Sequence, residues 1–540
     1  MDLQDYRARI DETDDRILQL FKKRMDISRQ IALYKKENGL PVLDSARERD
    51  KLIDIGDKAG DELRSYTFRL FELLFELSRA HQSSVLNTDK NFGLLGEKLV
   101  HSFSPLIHGF LGEYSYSLFE IEPGKLESFM IEKRFDGINV TIPYKQSVIP
   151  YCADLSEEAR ITGSVNTIVK SMDGALHGHN TDFYGFNVML ERGGIDPNGK
   201  KALVLGDGGA ARTVRVVLDR SGAREVVTIS RRGENNYGNI ERHYDAEIIV
   251  NTTPVGMYPN NGGSPISLTG FERLAGVADL IYNPLRTKLL LDAERIGVPF
   301  VNGLVMLVAQ AEMASRLFLG DSFDITTPAL RAIPPRRGMG AVVSGQWSVV
   351  SRRESQKGTT PDTTEKYSSI DTIREAILKK TQNIALIGMP GCGKSTVGVT
   401  LAQMIERPFA DCDDLVVSAA GKTIPEIFTD DGEDAFRRLE TRILAEESRK
   451  SGIVIATGGG VVTMPENFYL LRQNSIVIYL KRELSELVTD GRPLSGSQGV
   501  EALAKKRLSL YEAWSDFAVE VEARPELTAA RIIEELGVRS

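Results

Sequence analysis

Apolar residues recur at helical intervals along the first stretch of the chain. Leu3, Ile10, Ile17, Leu20, Phe21, Ile27 and Ile31 keep that spacing with no Gly or Pro before Gly39, which predicts one long helix to about Asn38. A second helical run, ELRSYTFRLFELLFELSRAHQ, ends near Gln82, so residues 1–88 read as an all-α domain. After about Thr88 the pattern changes to short β-rich runs, NFGLLG, FDGINVTIP, KALVLG, EVVTIS and EIIVNTTP, separated by helical stretches and Gly-rich turns. Such alternation predicts an α/β domain with a largely parallel sheet. It is placed at 89–332, with one part at about 89–190 and a second at about 191–310. Strand-like NIALIGM, GIVIATGG and SIVIYL between amphipathic helices predict another α/β domain at 371–540. Residues 333–370 are rich in Arg, Ser, Thr, Gly and Pro without sustained periodicity and are expected to be a flexible linker, their Arg pairs solvated charge.

Composition adds bounds. A chain of 540 residues exceeds one hydrophobic core, and at roughly 100 to 200 residues per domain several functions fit on it. With 41% hydrophobic and 26% charged residues it has the make-up of ordinary globular protein. No apolar run approaches the roughly 20 residues of a membrane helix. The start, MDLQDYRARIDETDD, is acidic where a secretory signal is basic and then apolar. Cys152, Cys392 and Cys412 lack metal-ligand spacing and fit reduced thiols, so a cytoplasmic, soluble protein is expected. A net charge of -8 gives no support to nucleic-acid binding.

The most specific motif is LIGMPGCGKST. Gly388, Gly393, Lys394 and Ser395 satisfy G-x-x-x-x-G-K-[ST] between a strand and a helix. In such a loop backbone N–H groups face phosphate oxygens, the Lys394 ammonium reaches the β/γ-phosphates and the Ser395 hydroxyl can ligate Mg²⁺. ATP is thus expected at Gly391, Cys392, Gly393, Lys394, Ser395 and Thr396, with Cys392 at a variable position. Asp411 and Asp413 follow at a strand's end and should face opposite ways if the strand continues. With FADCDD, IFTDDGEDAFRRLE, IATGGG, DGRPLS and KRLSLYEAW in this order, residues 381 to 520 resemble shikimate kinases. The resemblance implies that Asp413 contacts the acceptor hydroxyl as base or orienting group and that Asp411 holds Mg²⁺ through water. It implies further that Arg437 and Arg507 grip the shikimate carboxylate, that Gly459 and Gly460 allow close backbone approach, and that Phe428 and Phe436 form apolar walls. Arg492 resembles the lid arginine that closes over the phosphates, although LSGSQG departs from the family's more apolar lid.

KALVLGDGGAARTVRVVL reads as strand, Gly-rich turn and helix, a Rossmann-type arrangement in which Gly206, Gly208 and Gly209 bring backbone near a pyrophosphate. The next strand ends in Ser230, Arg231 and Arg232 where an NAD site places an acidic residue, which favours NADP(H). Asp207 in the turn would repel the pyrophosphate unless it points to solvent. The His177 and His179 pair lacks a third ligand and is not read as a metal site. GEKLVHSFSPLIHG, NVTIPYK, GSVNTI, GHNTDFYGF, DLIYNPLRTKLL and VNGLVMLVAQAEMA resemble shikimate dehydrogenases in content and order over residues 91 to 330. By that resemblance Ser102 and Ser104 bind the substrate carboxylate, Thr141, Asn166, Asp182, Tyr282 and Gln310 complete the pocket, and Lys145 and Asp182 form the catalytic pair. Reducing a ketone needs a proton donor at the oxygen, and a Lys beside an Asp can supply it. Ala210 and Ala211 to Val214 belong to the cofactor helix, Leu280 and Gly303 line the nicotinamide end, and Glu157 is expected to approach from across the cleft.

LQDYRARIDETDDRILQLFKKRMDISRQIALYKKENGLPV followed by LDSARERD resembles the all-helical chorismate mutases, with Arg7, Arg24, Lys35, Asp44, Arg47, Glu48, Ser78 and Gln82 at the matching positions. That rearrangement needs a cage of cations and a neutral amide rather than acid or base. In the carry-over Arg7 and Arg24 grip carboxylates, Lys35 and Gln82 donate toward the ether oxygen, and Glu48 binds the hydroxyl. Arg24 and Lys35 share a face about 16 Å apart, whereas Arg7 lies about 26 Å from Arg24 along the axis and must serve a neighbouring chain's site. A homodimer through these helices is therefore expected.

Together the resemblances imply a multidomain enzyme of aromatic amino acid biosynthesis that uses NADP(H), ATP and Mg²⁺ on 3-dehydroshikimate, shikimate and chorismate. Tethering would raise the local concentration of shikimate at the kinase. The alternatives are a dehydrogenase/kinase whose helical domain only dimerises or senses a ligand, a scaffold with a dead kinase, and quinate as the dehydrogenase substrate.

Overall fold

A computed structural model describes residues 3–37, scattered helical positions between 47 and 78, residues 90–320 apart from 100, 101 and 113, residues 368–487 and residues 499–537. Of the expected site residues, Asp44, Glu48, Gln82 and Arg492 lie outside these, as does the expected linker up to residue 367. Among the described residues no helix is long and apolar enough to cross a membrane. The chain divides into two compact units, Met1–Thr181 with Ala311–Ile325, and Asp182–Gln310 with Thr326–Ser540.

The first unit begins with the long helix Leu3–Glu37. Several of its apolar positions, among them Ile10, Ile17 and Leu20, are exposed. The mixed sheet that follows contains β1 (Asn91–Gly96), β2 (Ser115–Glu120), β3 (Gly137–Val140), β4 (Asp154–Leu155), β5 (Thr167–Lys170) and β6 (Leu176–His179), in the order β2-β1-β3-β5-β6-β4. A largely parallel sheet was the expectation, and β1 does pair parallel with β2 and β3, but β5 runs antiparallel to β3 and β6. The cause is local. Asp173 and Gly174 turn the chain tightly, with Gly174 at φ 83, and a short turn can join only antiparallel strands. One face of this sheet buries Leu95, Ile138, Val140, Val165 and Ile168. Elsewhere the Phe318 ring, from the end of the helix Gly303–Leu319, stacks on Phe92 at 4.8 Å between centroids.

The second unit holds two parallel sheets. In the order β11-β10-β9-β7-β8 stand β7 (Lys201–Leu205), β8 (Glu225–Ile229), β9 (Ile248–Asn251), β10 (Gly276–Asp279) and β11 (Phe300–Asn302). This doubly wound order reverses direction between β7 and β9, where ligands of such sheets bind. The other sheet runs β13-β14-β12-β15-β16, from β12 (Asn383–Ile387), β13 (Phe409–Asp411), β14 (Val454–Ala456), β15 (Ser475–Lys481) and β16 (Phe517–Glu520). Buried on both faces, β7 and β12 carry unbroken apolar runs, 202–205 and 384–387, rather than alternating ones. The helix that opens the C-terminal part, Ser368–Thr381, starts slightly before residue 371.

Candidate functional sites

The phosphate loop leaves the carboxyl end of β12. Gly388, Gly391 and Gly393 take φ values of 151, 81 and 101, backbone that only glycine adopts without strain, and the helix Lys394–Met404 begins directly behind them. The Lys394 ammonium donates to the Gly388 and Met389 carbonyls, both at 3.0 Å, and is held inside the loop. Cys392 is buried beneath Lys394, its sulfur 3.9 Å from the ammonium, so this variable position packs the loop from below.

The acceptor side faces this loop. Arg437 and Arg507 are buried, and Arg437 Nη1 donates to Glu440 Oε2 at 2.7 Å. A methyl group on Gly460 would overlap the Arg437 guanidinium, one on Gly459 would overlap Pro390 of the phosphate loop, and one on Gly458 would overlap Glu440 and press on Asp413. Arg507 Nη1 donates to the Gly459 carbonyl at 3.3 Å, and the Tyr511 hydroxyl donates to the same carbonyl. Phe428 and Phe436 stand 4.8 Å apart, with the Arg437 guanidinium 5.1 Å from the Phe436 ring. The structure thus brings Asp413, Arg437, Arg507, Gly459, Gly460, Phe428 and Phe436 to one place beside the loop. It adds Glu440, Gly458 and Tyr511, which motif reading missed; a glutamate one helical turn after Arg437 was the available signal.

The strand does not continue past Asp411, so Asp411 and Asp413 do not alternate across a sheet. Asp411 instead caps the helix Cys412–Ala420, its Oδ1 accepting from the Asp413 N–H at 2.9 Å and the Asp414 N–H at 3.5 Å. The Oδ2 atom takes part in neither of these bonds. One carboxylate oxygen and the Ser395 hydroxyl are hard donors that suit Mg²⁺, which keeps most of its shell as water and phosphate oxygen.

In the parallel sheet of β7 to β11, Gly206 turns at φ 107, where a side chain would press on Thr252 and Thr253 at the end of β9. Methyl groups at Gly208 and Gly209 would meet nothing, so the space over the turn and at the N-terminus of the helix Gly209–Arg220 is open to a pyrophosphate. Asp207 is exposed in this turn, as are Gly208 and Gly209. Ser230 is buried and accepts from the Gly233 N–H at 3.0 Å, while Arg231 and Arg232 are exposed beyond it. Burial pushes the Tyr237 hydroxyl upward, Asp207 adds to this and Arg231 opposes it, so Tyr237 sits within the field of both. Gly303 lies against the Leu280 carbonyl so closely that a methyl group would overlap it, which brings these two together at the ends of β11 and β10. Asp182 and Gln310 lie on the helices Thr181–Arg192 and Gly303–Leu319, which cross where Gly185 touches Met306 and Gln310. Burial raises the Tyr282 pKa.

In the mixed-sheet part, Ser104 opens the helix Ser104–Leu111, and the Ser102 hydroxyl oxygen accepts from its N–H at 3.2 Å. Asn166 is buried, and its Oδ1 accepts from the Thr181 N–H at 2.7 Å and from the hydroxyls of Thr167 and Thr181, both at 3.2 Å, leaving Nδ2 as its remaining donor. The Lys145 carbonyl accepts from the Val165 N–H at 2.8 Å, which ties NVTIPYK to GSVNTI. Thr141 donates its N–H to Leu95 at 2.9 Å at the carboxyl end of β1. Glu157 is exposed in the first turn of its helix. His177 and His179 belong to no group of metal ligands among the described residues.

In the helical segment Arg24 donates to the Ser78 hydroxyl, and the Ser28 hydroxyl donates to the Ser78 carbonyl at 3.0 Å. The Arg24 guanidinium also lies 5.6 Å from the Phe75 ring. Lys35 is half-buried, whereas Arg7 and Arg47 are exposed.

Three family models match: "Chorismate mutase type II" over residues 6–83, "Shikimate dehydrogenase substrate binding domain" over 94–168 and "Shikimate kinase" over 390–537. The chain is 38% identical over 260 residues to the shikimate dehydrogenase (NADP(+)) of Clostridium perfringens, an alignment covering 44% of this chain and 95% of the relative. It is 40% identical over 266 residues to that of Caldicellulosiruptor bescii, covering 44% and 90%. Among solved structures it is similar to a chorismate mutase/shikimate 5-dehydrogenase fusion protein from Clostridium acetobutylicum, with 38% identity, a TM-score of 0.41, and coverage of 44% of this chain and 93% of that one.

Proposed function

Taking as premise that the chain belongs to the shikimate dehydrogenase family, we propose that it joins three steps of one biosynthetic route through the residues named above. The chain is a multifunctional enzyme of aromatic amino acid biosynthesis, carrying shikimate dehydrogenase, shikimate kinase and chorismate mutase activities.

The observation that carries the reading is the contact of donor and acceptor sites in the kinase. Pro390 of the phosphate loop packs on Gly459, whose neighbour Gly460 lies beneath Arg437. Arg437 and Arg507 hold the shikimate carboxylate, Asp413 orients the accepting hydroxyl and takes its proton, and Lys394 offsets the charge that builds on the phosphates. Ser395, and Asp411 through water, would hold Mg²⁺, which would neutralise further charge.

In the dehydrogenase, Ser102 and Ser104 bind the carboxylate, Asn166 and Gln310 the ring hydroxyls, and Lys145 with Asp182 delivers a proton to the carbonyl oxygen. NADPH supplies the hydride, held by the Gly206 turn and, through its 2′-phosphate, by Arg231 and Arg232. In the mutase, Arg24 holds the chorismate dianion with Arg7 from a second chain, and Lys35 donates toward the ether oxygen. The exposed Ile10, Ile17 and Leu20 of the long helix supply the apolar surface that such a homodimer would bury. Three free cysteines agree with residence in the cytoplasm.

Purified full-length protein supplied with 3-dehydroshikimate, NADPH, ATP and Mg²⁺ should consume NADPH in step with formation of shikimate 3-phosphate. Accumulation of unphosphorylated shikimate would sink the kinase assignment, and unchanged NADPH the dehydrogenase one. Chorismate added alone should give prephenate.

A further inference from the structure

The parallel-sheet part of the dehydrogenase and the kinase meet over a polar face that the linker does not explain. The dehydrogenase side is built by the loops after β9 and β10 and the helix Lys288–Arg295, and the kinase side by the end of the helix Pro465–Arg472 and the residues that lead into β15 and β16. Arg286 is at its centre. Its backbone N–H donates to the Gln473 carbonyl at 2.9 Å, Nε to the Arg472 carbonyl at 2.8 Å and Nη2 to the Ser475 carbonyl at 3.1 Å. Arg472 reaches back to Glu294 at 3.1 Å and also pairs with Asp516 of its own domain at 3.1 Å. Burial works against the charge on Arg286, and the Asp516 and Glu294 carboxylates, at 3.9 and 3.6 Å, support it.

Each domain contributes one cation and one anion to this cluster, Arg286 with Glu294 and Arg472 with Asp516. Neither domain therefore carries a net charge into the contact. Around the cluster the Gln473 amide donates to the Asn261 carbonyl at 2.8 Å, and Asn261 donates in return to the Gln473 side-chain oxygen. The Tyr258 hydroxyl donates to the Ser448 carbonyl at 3.0 Å, the Tyr469 hydroxyl to Asp292 at 3.0 Å, and the Lys288 ammonium stands 4.4 Å from the centre of the Tyr469 ring. Apart from this face, Arg192 pairs with Asp371 at 2.9 Å. Donors matched one by one to main-chain carbonyls of the other domain are the pattern of a specific contact, since a chance encounter of two solvated surfaces leaves such groups to water.

We infer that the kinase is a docked partner of the dehydrogenase's cofactor-binding part, joined through this Arg286-centred face, and that the two stay together when the linker is cut. The placement fits such a role. The face uses the amino ends of β15 and β16, while the phosphate loop leaves the carboxyl end of β12, so docking leaves the ATP and shikimate sites clear.

The test keeps the whole chain. A recognition site for a sequence-specific protease is inserted after Gly345, the purified protein is cut, and the two fragments are followed by sedimentation at low micromolar concentration. Docking predicts that they travel as one species. Arg286→Glu should drive them apart, weakening association at least 100-fold, and Gln473→Ala should weaken it about 10-fold, roughly one hydrogen-bonded contact. Should Arg286→Glu fail to fold, Gln473→Ala decides. Separation of the wild-type fragments overturns the proposal. So does association that neither substitution weakens, because the fragments would then be held elsewhere. Dehydrogenase and kinase activities of the cut protein report separately on the functional assignments, which docking does not require.

Discussion

Arg437 and Glu440 form an ion pair of 2.7 Å with both side chains buried. Burial raises the Glu440 pKa, and Arg437 is the largest influence holding it down. The pair keeps the guanidinium over Gly460, where the acceptor carboxylate is expected.

Glu440→Ala leaves Arg437 without its buried counter-charge. Shikimate binding should weaken by about 2 to 5 kcal/mol, which is roughly 30-fold or more in KM. The KM for ATP should change little, and NADPH oxidation by the same protein serves as the internal control. Glu440→Gln keeps the acceptor oxygen and should recover part of the loss. An unchanged shikimate KM in the alanine variant would remove Glu440 from the site.

Asp279 is buried at the end of β10, where it accepts from the Thr287 hydroxyl at 2.7 Å, the Asn251 amide at 3.0 Å and the Ile281 N–H at 3.1 Å. Burial lifts its pKa to about 7 from an ordinary 3.8, against the pull of these hydrogen bonds. Between those values the folded chain keeps a proton that the unfolded chain has released. Stability from this group is therefore full below about pH 4 and is lost as pH rises to about 7, on the order of 4 kcal/mol. Asp279→Asn should lack this slope, so its melting temperature relative to the parent should climb from pH 4.5 to pH 8. Parallel curves would contradict the assignment.

Arg231 and Arg232 stand exposed beyond β8, where a 2′-phosphate is expected. Replacing both with Ala should raise the KM for NADPH by about 10- to 100-fold, since charge-assisted hydrogen bonds contribute about 1.5 to 3 kcal/mol each and two partly overlapping ones are removed. The KM for NADH should barely move. Equal losses with both cofactors would place the arginines away from the 2′ position.

Arg7→Ala and Arg24→Ala should each abolish chorismate turnover. If Arg7 serves the neighbouring chain, mixing the two variants under conditions that exchange subunits restores activity, because some sites then draw both arginines from unmutated copies. A mixture as inactive as its components would place Arg7 and Arg24 in a site within one chain.

How much of this was legible before the fold depended on whether a residue's role is local. The phosphate loop could be read because its glycines, Lys394 and Ser395 do their work within eight consecutive residues. The cofactor turn and the two arginines after β8 were readable for the same reason. Thr252 could not be placed beside Gly206, because only the strand order brings the end of β9 next to that of β7. The opposite facing of Asp411 and Asp413 depends on the strand continuing, whereas the short Asp411 side chain caps the helix behind it. Arg286 and Arg472 look like any surface arginines in sequence, and only the fold sets one against the other's carbonyl. The antiparallel turn at Asp173 and Gly174 was written in the chain and was overridden by the expectation of uniform βα alternation.

The stacking of Phe318 on Phe92 has a consequence for synthesis. A chain is made from its amino end, and domains generally fold as their last necessary element emerges. The strand holding Phe92 is among the first parts of the dehydrogenase to leave the ribosome, yet the ring that stacks on it arrives with the helix Gly303–Leu319, after the entire cofactor-binding sheet has been made. That sheet, contiguous in sequence, can close while the first strand still waits for its cover. During that interval Tyr114 already covers one side of the Phe92 ring, and the face that Phe318 will stack on is open apolar surface on a nascent chain, the kind that chaperones bind.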